Sequence, residues 1–415
     1  MRQPPPLEAD QWQEGHGVAR RGRVLIIVQN LPVPFDRRVW LESRTLVGAG
    51  YEVVVVCPKG PSDPGHSVLE GVELYKYSPF APGRGAISFV VEYLYSFAAT
   101  LILSLKASRR GRFDVVQSCN PPDIFWPIGL LFRLLHGSRF VFDHHDLCPE
   151  LYMTRFDEGS RLTLGALHLL ERKSIGSADE VITTNDSYRR IAIERDSADP
   201  CRTTVVRNGP DLTRLAPGPV DLELKRGREH LVAYLGVMGP QDGVDIVLKV
   251  ANLVVKEHRR DDVAFTLIGA GDSFRALRAL SVELGLDGAV EFTGRLPDAE
   301  VAAILSAADV GISPDPKNAL NDLSTMNKTM EYMAFGLPVA AFDLVETRFS
   351  AGFAAMYAKP NSVEDLAAIV LKLIDDKALR REMGSFAVER VRKQLAWSHQ
   401  ASRYLEVYER LIPVS

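Results

Sequence analysis

The polar side chains best suited to chemistry lie between residues 318 and 348. A loop of small polar residues, 321–325, leads into a predicted helix of residues 326–335, which Gly336 and Pro338 end. The first turn of a helix has unpaired N–H groups and a partial positive charge, which together favour a phosphate group. The loop and helix are therefore a candidate phosphate site.

Lys328 and Glu331 share one face of this predicted helix at a spacing of three. A surface ion pair would explain them, and such a pair contributes only ~0.2–0.5 kcal/mol. Because the pair stands directly after the polar loop, we favour a functional role for both residues over a surface pair.

Two polar loops follow predicted strands in the first half. Asp36 could cap the next helix, whereas Arg37 and Arg38 have no capping role and could reach an anionic substrate. In the turn of residues 119–123, Asn120 is better suited to positioning than to catalysis.

Residues 143–146, Asp-His-His-Asp, form the densest polar cluster of this half. Two His and two Asp so close in sequence seldom converge on one ion, so a metal site is disfavoured. Hydrogen bonding to a polyol, with acid–base work by His145, fits better, and a hydrogen-bonded turn is the structural alternative.

In the second half, three glycines at 236, 239 and 243 allow a backbone approach to phosphate without a P-loop lysine. Arg295 could border a base, Asp315 ends a strand, and Arg207 marks the end of the first half. The chain contains no Asp-x-Asp, so a Mg²⁺–diphosphate clamp of that type has no support.

The elements that position these loops alternate between apolar strands and helices, which predicts parallel sheets covered on both faces. Residues 208–230 interrupt the pattern with proline, glycine and charge. We predict two doubly wound Rossmann-like α/β domains, 22–212 and 213–395, followed by a terminal helical segment, 396–415. Open parallel sheets bind ligands beyond the carboxyl ends of their strands.

Composition is that of a soluble globular protein, 46% hydrophobic and 25% charged. The net charge of −4 gives no support for nucleic-acid binding, and four scattered cysteines indicate neither disulfides nor zinc. Residues 1–21 lack the apolar segment of a signal peptide and are expected to be a disordered tail.

Residues 89–105 are apolar except for Glu92 and a few hydroxyls, and basic residues follow them at 106, 109, 110 and 112. The run is shorter than the ~20 residues that span a bilayer, so no membrane span is expected. A buried helix is the favoured interpretation, and an interfacial patch that contacts anionic lipid is the alternative.

Six motifs in this order resemble glycosyltransferase family 4, bacterial enzymes of exopolysaccharide, capsule and O-antigen assembly. The motifs are VPFDRRVWLESRTLVGAGYEV, DHHDLCPELY, VVRNGPD, YLGVMGPQDGVD, VEFTGRLPD and STMNKTMEYMAFGLPVAAFDLVETR. The resemblance covers about residues 23–411. It implies the two-domain GT-B fold, sugar transfer with retention, and a final helix that returns to the first domain.

The resemblance also implies residue roles. Glu331 corresponds to the glutamate that holds the donor ribose, and His145 would lie beside the donor hexose. Arg295 would frame the nucleobase, while Lys328 and Arg207 would neutralise the leaving diphosphate. Further expected donor contacts are Gly239, Asp315, Ser324, Thr325, Met326 and Asn327. Expected acceptor contacts are Asp36, Arg37, Arg38, Asn120 and Asp146.

Three positions depart from the family pattern. Leu323 stands where a glutamate is common, and Met238 and Asp242 stand where a basic pair is usual. The implied function is a retaining glycosyltransferase with a UDP- or GDP-sugar donor, a lipid-linked or glycan acceptor and no metal or cofactor. It would work in the cytoplasm, at the inner membrane face. The alternatives are a nucleotide-sugar epimerase of the same fold and a non-catalytic nucleotide-sugar-binding relative.

Overall fold

The computed structural model describes residues 21–80, 86–156 and 160–412. Apart from Arg21, the predicted disordered tail lies outside these residues. The described chain builds two sheets whose strands are parallel, with one exception, and helices cover both faces of each. The predicted pair of doubly wound α/β domains is confirmed.

The first sheet has the strand order β3-β4-β2-β1-β5-β6-β7-β8. Its strands are β1 Gly22–Ile27, β2 Tyr51–Pro58, β3 His66–Leu69, β4 Val72–Tyr77, β5 Val115–Cys119, β6 Arg139–His144, β7 Glu180–Thr183 and β8 Thr203–Val205. Its helices are α1 Arg37–Gly48, α2 Ala86–Ser108, α3 Trp126–His136, α4 Cys148–Arg155, α5 Arg161–Ser177 and α6 Asp186–Glu194. Only β3 is antiparallel to its neighbour. The strand order reverses between β1 and β5, where such sheets form a ligand crevice.

The second sheet has the order β11-β10-β9-β12-β13-β14 and reverses between β9 and β12. Its strands are β9 His230–Leu235, β10 Val263–Ile268, β11 Val290–Gly294, β12 Val310–Ser313, β13 Val339–Phe342 and β14 Ala355–Ala358. The helices that follow in the chain are α7 Val244–Asn252, α8 Phe274–Glu283, α9 Asp298–Ala307, α10 Asn327–Ala334, α11 Val345–Ala351, α12 Val363–Asp375, α13 Lys377–Arg390 and α14 Trp397–Leu411. The predicted boundary at 212/213 falls in the connection between the two sheets.

The chain returns to the first domain through α14, as predicted. Trp397, Tyr404 and Tyr408 are buried in the core of the first domain beside α1 and β2. The Trp397 indole donates to Thr45 Oγ1 at 3.0 Å, and Tyr404 donates to Gln117 Oε1 at 2.8 Å. Apolar burial together with these satisfied polar atoms fixes the helix on the first domain.

The outgoing and returning connections touch each other. The backbone N–H of Trp397 donates to the carbonyl of Pro210 at 3.2 Å. A Cβ at Gly209 would lie 2.2 Å from the carbonyl oxygen of Leu395, so only glycine permits this approach. The two domains are therefore joined at one place by two adjacent stretches of chain.

Helix α2 differs from the favoured interpretation of a buried helix. One face packs on β2 and β4, but only 22% of the apolar window Val90–Ser108 is buried. That window has a mean hydropathy of 1.3 and is the one stretch of the described chain long and apolar enough to cross a membrane. The helix is longer than the predicted apolar run, and large apolar side chains such as Leu94 and Ile102 are about two-thirds exposed.

Candidate active site

A cleft with a volume of about 630 Å³ separates the two domains. Arg37 and Arg38 of α1 line it from the first domain, and Asn327 and Glu331 of α10 line it from the second. The cleft thus brings four of the predicted site residues together.

Glu331 is held from across the cleft. Its Oε1 lies 2.6 Å from Arg37 Nη1 and 3.8 Å from Arg214 Nη2. Burial raises the pKa of Glu331, and the two arginines oppose this rise. Arg37, predicted to contact the acceptor, is bonded in this arrangement to the residue expected to hold the donor ribose.

Lys328 points away from Glu331, so the surface ion pair considered from the sequence does not form. Its Nζ lies 2.5 Å from Asp315 Oδ1 and 5.3 Å from the centroid of the Tyr234 ring. Burial lowers the pKa of Lys328, but Asp315 and Asp242 outweigh burial and raise it above its usual value. Lys328 is therefore a buried cation whose charge Asp315 compensates.

The turn after β9 is closed by Asp242. The N–H of Gly239, predicted to face the diphosphate, donates to Asp242 Oδ2 at 2.8 Å. Burial raises the pKa of Asp242, and Lys328 opposes the rise. The backbone donor at Gly239 is therefore occupied by a carboxylate in a position where the family usually has a cation.

Met238 does not face the cleft. Its side chain is fully buried in the core of the second domain, whereas its neighbour Val237 is 58% exposed. Met238, one of the predicted departures from the family's basic pair, is therefore a core residue.

The loop before α10 is bonded to the first domain. Asn185 Nδ2 donates to the Leu323 carbonyl at 2.9 Å and to Thr325 Oγ1 at 3.1 Å, and Tyr188 Oη lies 2.8 Å from Ser324 Oγ. The hydroxyls predicted to face the diphosphate therefore have protein partners in the first domain. We call this set of bonds the interdomain latch.

Leu323 has a structural role in this latch. Its side chain packs against a small apolar cluster in which Leu147 and Tyr188 of the first domain meet Leu320 of the second. A glutamate at 323 would bring a charge into this cluster. An apolar side chain there is consistent with closely packed domains.

The start of α10 also differs slightly from the prediction. The helix begins at Asn327, and Met326 precedes it as a cap residue without a side-chain hydrogen bond. Met326 is half-buried against the core of the second domain, whereas Asn327 is exposed and lines the cleft. Of these two predicted donor contacts, the structure exposes Asn327 to the cleft.

His145 belongs to a buried polar network. Its Nε2 lies 2.6 Å from Asp143 Oδ2 and 2.9 Å from Arg38 Nε. Burial raises the pKa of Asp143, but Arg38 and His145 outweigh burial and hold it well below its usual range. Arg38, predicted to contact the acceptor, here donates to the side chains of Asp143 and Asn208 and to the carbonyl of Val206.

Glu42 extends the network towards α14. It pairs with Arg38 at 3.0 Å and accepts from Gln117 Nε2 at 2.8 Å, and Gln117 also receives hydrogen bonds from Tyr404 and Tyr408. Glu42, Cys119, Asp143 and His145 also have donor atoms within 4.8 Å of one another, which is a metal-compatible spacing. The guanidinium of Arg38 supplies the positive charge beside these carboxylates.

Asp36 and Asn120 are also positioning residues rather than open acceptor contacts. Asp36 caps α1 by accepting from the Val39 N–H at 3.1 Å. The Asn120 side chain accepts from the N–H groups of His145 and Asp146 and donates to the carbonyl of Asp146. This clamp fixes the loop that carries His145 and leaves Asp146 half-buried.

Arg207 and Arg295, predicted to contact the donor, both have partners within the protein. Arg207 is buried, pairs with Glu346 at 3.1 Å and Asp186 at 2.6 Å, and lines a second cavity instead of the cleft. Arg295 stacks over the ring of Phe35 at 4.8 Å. It is therefore an interdomain contact at the rim of the cleft.

Sequence reasoning missed Asn185, Tyr188, Arg214 and Glu346, all of which join the two domains or border the cleft. Asn185 could have been identified from the sequence, because it follows a strand as the other polar loops do. Its partners are 138 and 140 residues away in the chain, and no local pattern shows such a pairing.

Comparisons with known proteins agree with this architecture. Residues 36–209 match the model of the glycosyl transferase 4-like domain, and residues 229–376 match that of glycosyl transferases group 1. A D-inositol 3-phosphate glycosyltransferase of Corynebacterium efficiens is 26% identical over 325 residues, which cover 73% of each chain.

Three solved structures share the fold. Sucrose-phosphate synthase from Thermosynechococcus elongatus has a TM-score of 0.76 at 17% identity and covers 95% of this chain and 100% of its own. Anabaena HepE, solved with UDP and glucose, has a TM-score of 0.70 at 14% identity, with coverages of 94% and 100%. WaaG, a glycosyltransferase involved in lipopolysaccharide biosynthesis, has a TM-score of 0.70 at 17% identity, with coverages of 92% and 99%.

The two domain matches lie on either side of the connection between the sheets and together cover most of the described chain. The matched ranges include α1 and α10, the two helices that line the cleft from opposite domains. The chain belongs to the group 1 and 4-like glycosyltransferases and has their two-domain GT-B fold.

Proposed function

We propose that this protein is a retaining glycosyltransferase that moves a sugar from a UDP- or GDP-sugar to an acceptor in cell-surface polysaccharide synthesis. The observation that carries the proposal is Glu331, a carboxylate on α10 that faces the interdomain cleft. The fold that the protein shares with HepE, solved with UDP and glucose, supports a nucleotide-sugar donor. The fold that it shares with WaaG supports the polysaccharide role.

In this proposal Glu331 binds the donor ribose and Lys328 neutralises charge on the leaving diphosphate. The diphosphate itself helps to remove the proton of the attacking hydroxyl on the same face of the sugar. The protein supplies positioning and electrostatic stabilisation, so no nucleophilic side chain is required. His145 lies on the facing domain, where Asp143 and Arg38 hold its ring, and in this proposal it contacts the donor sugar.

Incubation with a panel of UDP- and GDP-sugars tests this function. We expect one donor to bind with saturation and to be hydrolysed slowly without an acceptor, because water can replace the missing hydroxyl. The anomeric configuration of the product, read by NMR, tests retention. No binding and no hydrolysis across the whole panel would contradict the proposal.

The exposed face of α2 supports an acceptor at a membrane. Val90, Leu94 and Ile102 expose 57%, 65% and 64% of their surface, and Lys106 and Arg109 follow at the end of the helix. Apolar side chains beside basic residues favour the interface of an anionic bilayer. We therefore place the enzyme at the inner face of the cytoplasmic membrane, with a lipid-linked acceptor.

Vesicle binding tests this location. We expect the protein to sediment with phosphatidylglycerol vesicles, to bind phosphatidylcholine weakly, and to be released by salt. Leu94→Glu with Ile102→Glu should abolish binding, while Val282→Glu, at a 62% exposed valine of the second domain, should bind normally. Arg110 and Arg112 are less suitable for substitution because they pair with Glu73 and Asp114. Equal binding by all three proteins would argue against membrane docking.

A phosphorylated polyol is a second candidate acceptor. Relatives named for D-inositol 3-phosphate share about a quarter of their residues with this chain. The cleft presents Arg37, Arg44 and Arg214, and arginine is well suited to phosphate. Adding inositol 3-phosphate to the donor assay distinguishes a phosphorylated polyol from a lipid-linked acceptor. Only the phosphorylated-polyol candidate predicts a soluble glycosylated product.

Two further alternatives remain testable in the same assay. An epimerase of this fold would release free nucleotide without any acceptor and would form the epimeric sugar. A non-catalytic relative would bind the donor without turnover, and the carboxylates of Asp242 and Asp315 beside Lys328 favour this alternative by reducing the positive charge available to a diphosphate. We expect activity without added metal or cofactor, which a chelator checks.

A further inference from the structure

A second cavity, of about 610 Å³, lies at the junction of the two domains. We call it the hinge cavity. It is lined by Asp186 and Arg207 of the first domain, by Phe349, Arg390 and residues 393–395 of the second, and by His399, Gln400 and Arg403 of α14. It shares no lining residue with the interdomain cleft. A ligand bound there would therefore contact the first domain, the second domain and the helix that joins them.

The lining of the hinge cavity is strongly basic although the whole chain has a net charge of −4. Arg207, Arg390, Lys393 and Arg403 line it, and Asp186 is the one carboxylate among its described lining residues. The cavity therefore concentrates positive charge at one place on an otherwise acidic protein, which attracts anions.

Two of these arginines lack a carboxylate partner among the described residues. The Arg390 guanidinium donates to the carbonyls of Phe349 and Ser350 at 2.6 and 2.8 Å and to Gln394 Oε1 at 3.0 Å. Burial and the nearby charge of Arg207 lower the pKa of Arg390. Arg403 is exposed, with no ion pair to a described carboxylate. A bound anion would reduce the repulsion between the positive charges of Arg207 and Arg390.

Arg207 adds a fixed planar group to the cavity. Its guanidinium carbon lies 3.9 Å from the centroid of the Phe349 ring, and it pairs with Glu346 at 3.1 Å and with the 67% exposed Asp186 at 2.6 Å. A bound anion would take the place of this exposed carboxylate. A guanidinium held flat in this way matches the geometry of a phosphate group. The volume is within the ~300–1,000 Å³ of small-molecule sites and larger than a single phosphate needs.

We propose that the hinge cavity binds a small phosphorylated metabolite that carries several negative charges. Such a ligand joins Arg207 of the first domain to Arg390 and Lys393 of the second and to Arg403 of α14, so it stabilises the arrangement of the domains in which these residues meet. The proposed binding does not depend on the proposed glycosyl transfer. Only an effect of the ligand on activity, through the arrangement of the two domains, depends on that function.

Isothermal titration of the full-length protein with inorganic tripolyphosphate tests the binding. We expect saturable binding that weakens at least tenfold in the double variant Arg403→Ala with Lys393→Ala. The matched control is Arg381→Ala, an exposed arginine of α13 outside the cavity, which should bind like the wild type. Arg44→Ala, at a half-exposed arginine that lines the cleft, should also leave tripolyphosphate binding unchanged.

Three results would overturn the proposal. Equal affinity in the wild type and the double variant would show that the cavity residues do not contribute. An equal loss in Arg381→Ala would indicate attraction by general surface charge. A loss in Arg44→Ala, with the double variant unaffected, would place the anion in the cleft. None of these results bears on donor hydrolysis, so they leave the proposed function to its own assay.

Discussion

Arg37 Nη1 lies 2.6 Å from Glu331 Oε1, and this contact joins the two domains across the cleft. The Arg37 side chain is 47% exposed, whereas that of Glu331 is only 12% exposed. Because water screens the half-exposed Arg37, the pair contributes only ~1 kcal/mol or less. A donor ribose can therefore displace Arg37 from Glu331 at little cost.

Glu331→Ala should lower kcat/KM for the donor more than ~10-fold, because a hydrogen bond to a charged group contributes ~1.5–3 kcal/mol. The Tm should change little, since the lost ion pair is partly exposed. Steady-state kinetics and thermal unfolding measure the two effects. Glu283→Ala, at an exposed glutamate of α8, is the control. A large fall in Tm would instead assign Glu331 a structural role.

Arg37→Ala should tighten nucleotide-sugar binding up to ~5-fold, because it removes a competitor for Glu331 worth ~1 kcal/mol or less. Calorimetric titration with the donor measures this change. If Arg37 instead contacts the acceptor, as the sequence suggested, the acceptor KM would rise while donor affinity stayed constant.

Asp242→Lys should tighten donor binding several-fold. The change replaces a carboxylate near Lys328 by a cation at the family's usual position, and one charge near a protein surface alters binding by ~1 kcal/mol or more. Donor affinity at two salt concentrations measures it, since the gain should shrink as salt rises. Asp245→Lys, at an exposed residue of α7, controls for net charge. An equal gain in the control would attribute the effect to long-range attraction.

Leu323→Glu should destabilise the latch although it restores the residue common in the family. The side chain packs in the apolar cluster around Tyr188, and a polar group placed there without a partner costs ~1–3 kcal/mol. The Tm should fall by several degrees. Leu222→Glu, at a 68% exposed leucine, should leave it unchanged. An unchanged Tm in Leu323→Glu together with higher activity would show that the latch tolerates the family residue.

Glu42→Gln should raise stability at high pH. Burial and the neighbouring Asp143 hold the pKa of Glu42 well above its usual value, whereas Arg38 opposes them. A raised carboxyl pKa favours the protonated folded state, so its stabilising effect is present at low pH and is lost as pH rises through the folded pKa. Glutamine imitates the protonated form.

The measurement is the difference in Tm between Glu42→Gln and wild type from pH 5 to pH 9, which should widen as pH rises. Glu70→Gln, at a half-exposed surface pair with Arg44, should show a constant difference. A difference for Glu42→Gln that does not depend on pH would mean that Glu42 stays ionised in the folded protein.

Strand–helix alternation was sufficient to predict both sheets and the returning helix, because buried parallel strands are continuous apolar runs. It did not reveal β3, whose four residues are mostly exposed. Nor did it reveal that α2 exposes most of its apolar surface. Whether an apolar face is covered depends on which other elements pack there, and a single helix sequence does not contain that information.

The sequence indicated which loops carry the candidate site residues, but not which residues contact them. Glu331, Lys328 and His145 were proposed because each lies in a loop after a predicted strand or in the short helix that follows such a loop. Their partners could not be found in the same way, since Arg37 and Glu331 are 294 residues apart in the chain. Only the structure shows that Asp315 neutralises Lys328 and that Asp143 neutralises Arg38.

The contact between Gly209 and Leu395 has a consequence for how the two halves can separate. Two peptide segments running side by side act as a double tether, so relative motion is confined to rotation about that point. Protease cleavage at an exposed bond between residues 213 and 228 would break only one tether. The two fragments should then remain associated through gel filtration and separate only under denaturing conditions.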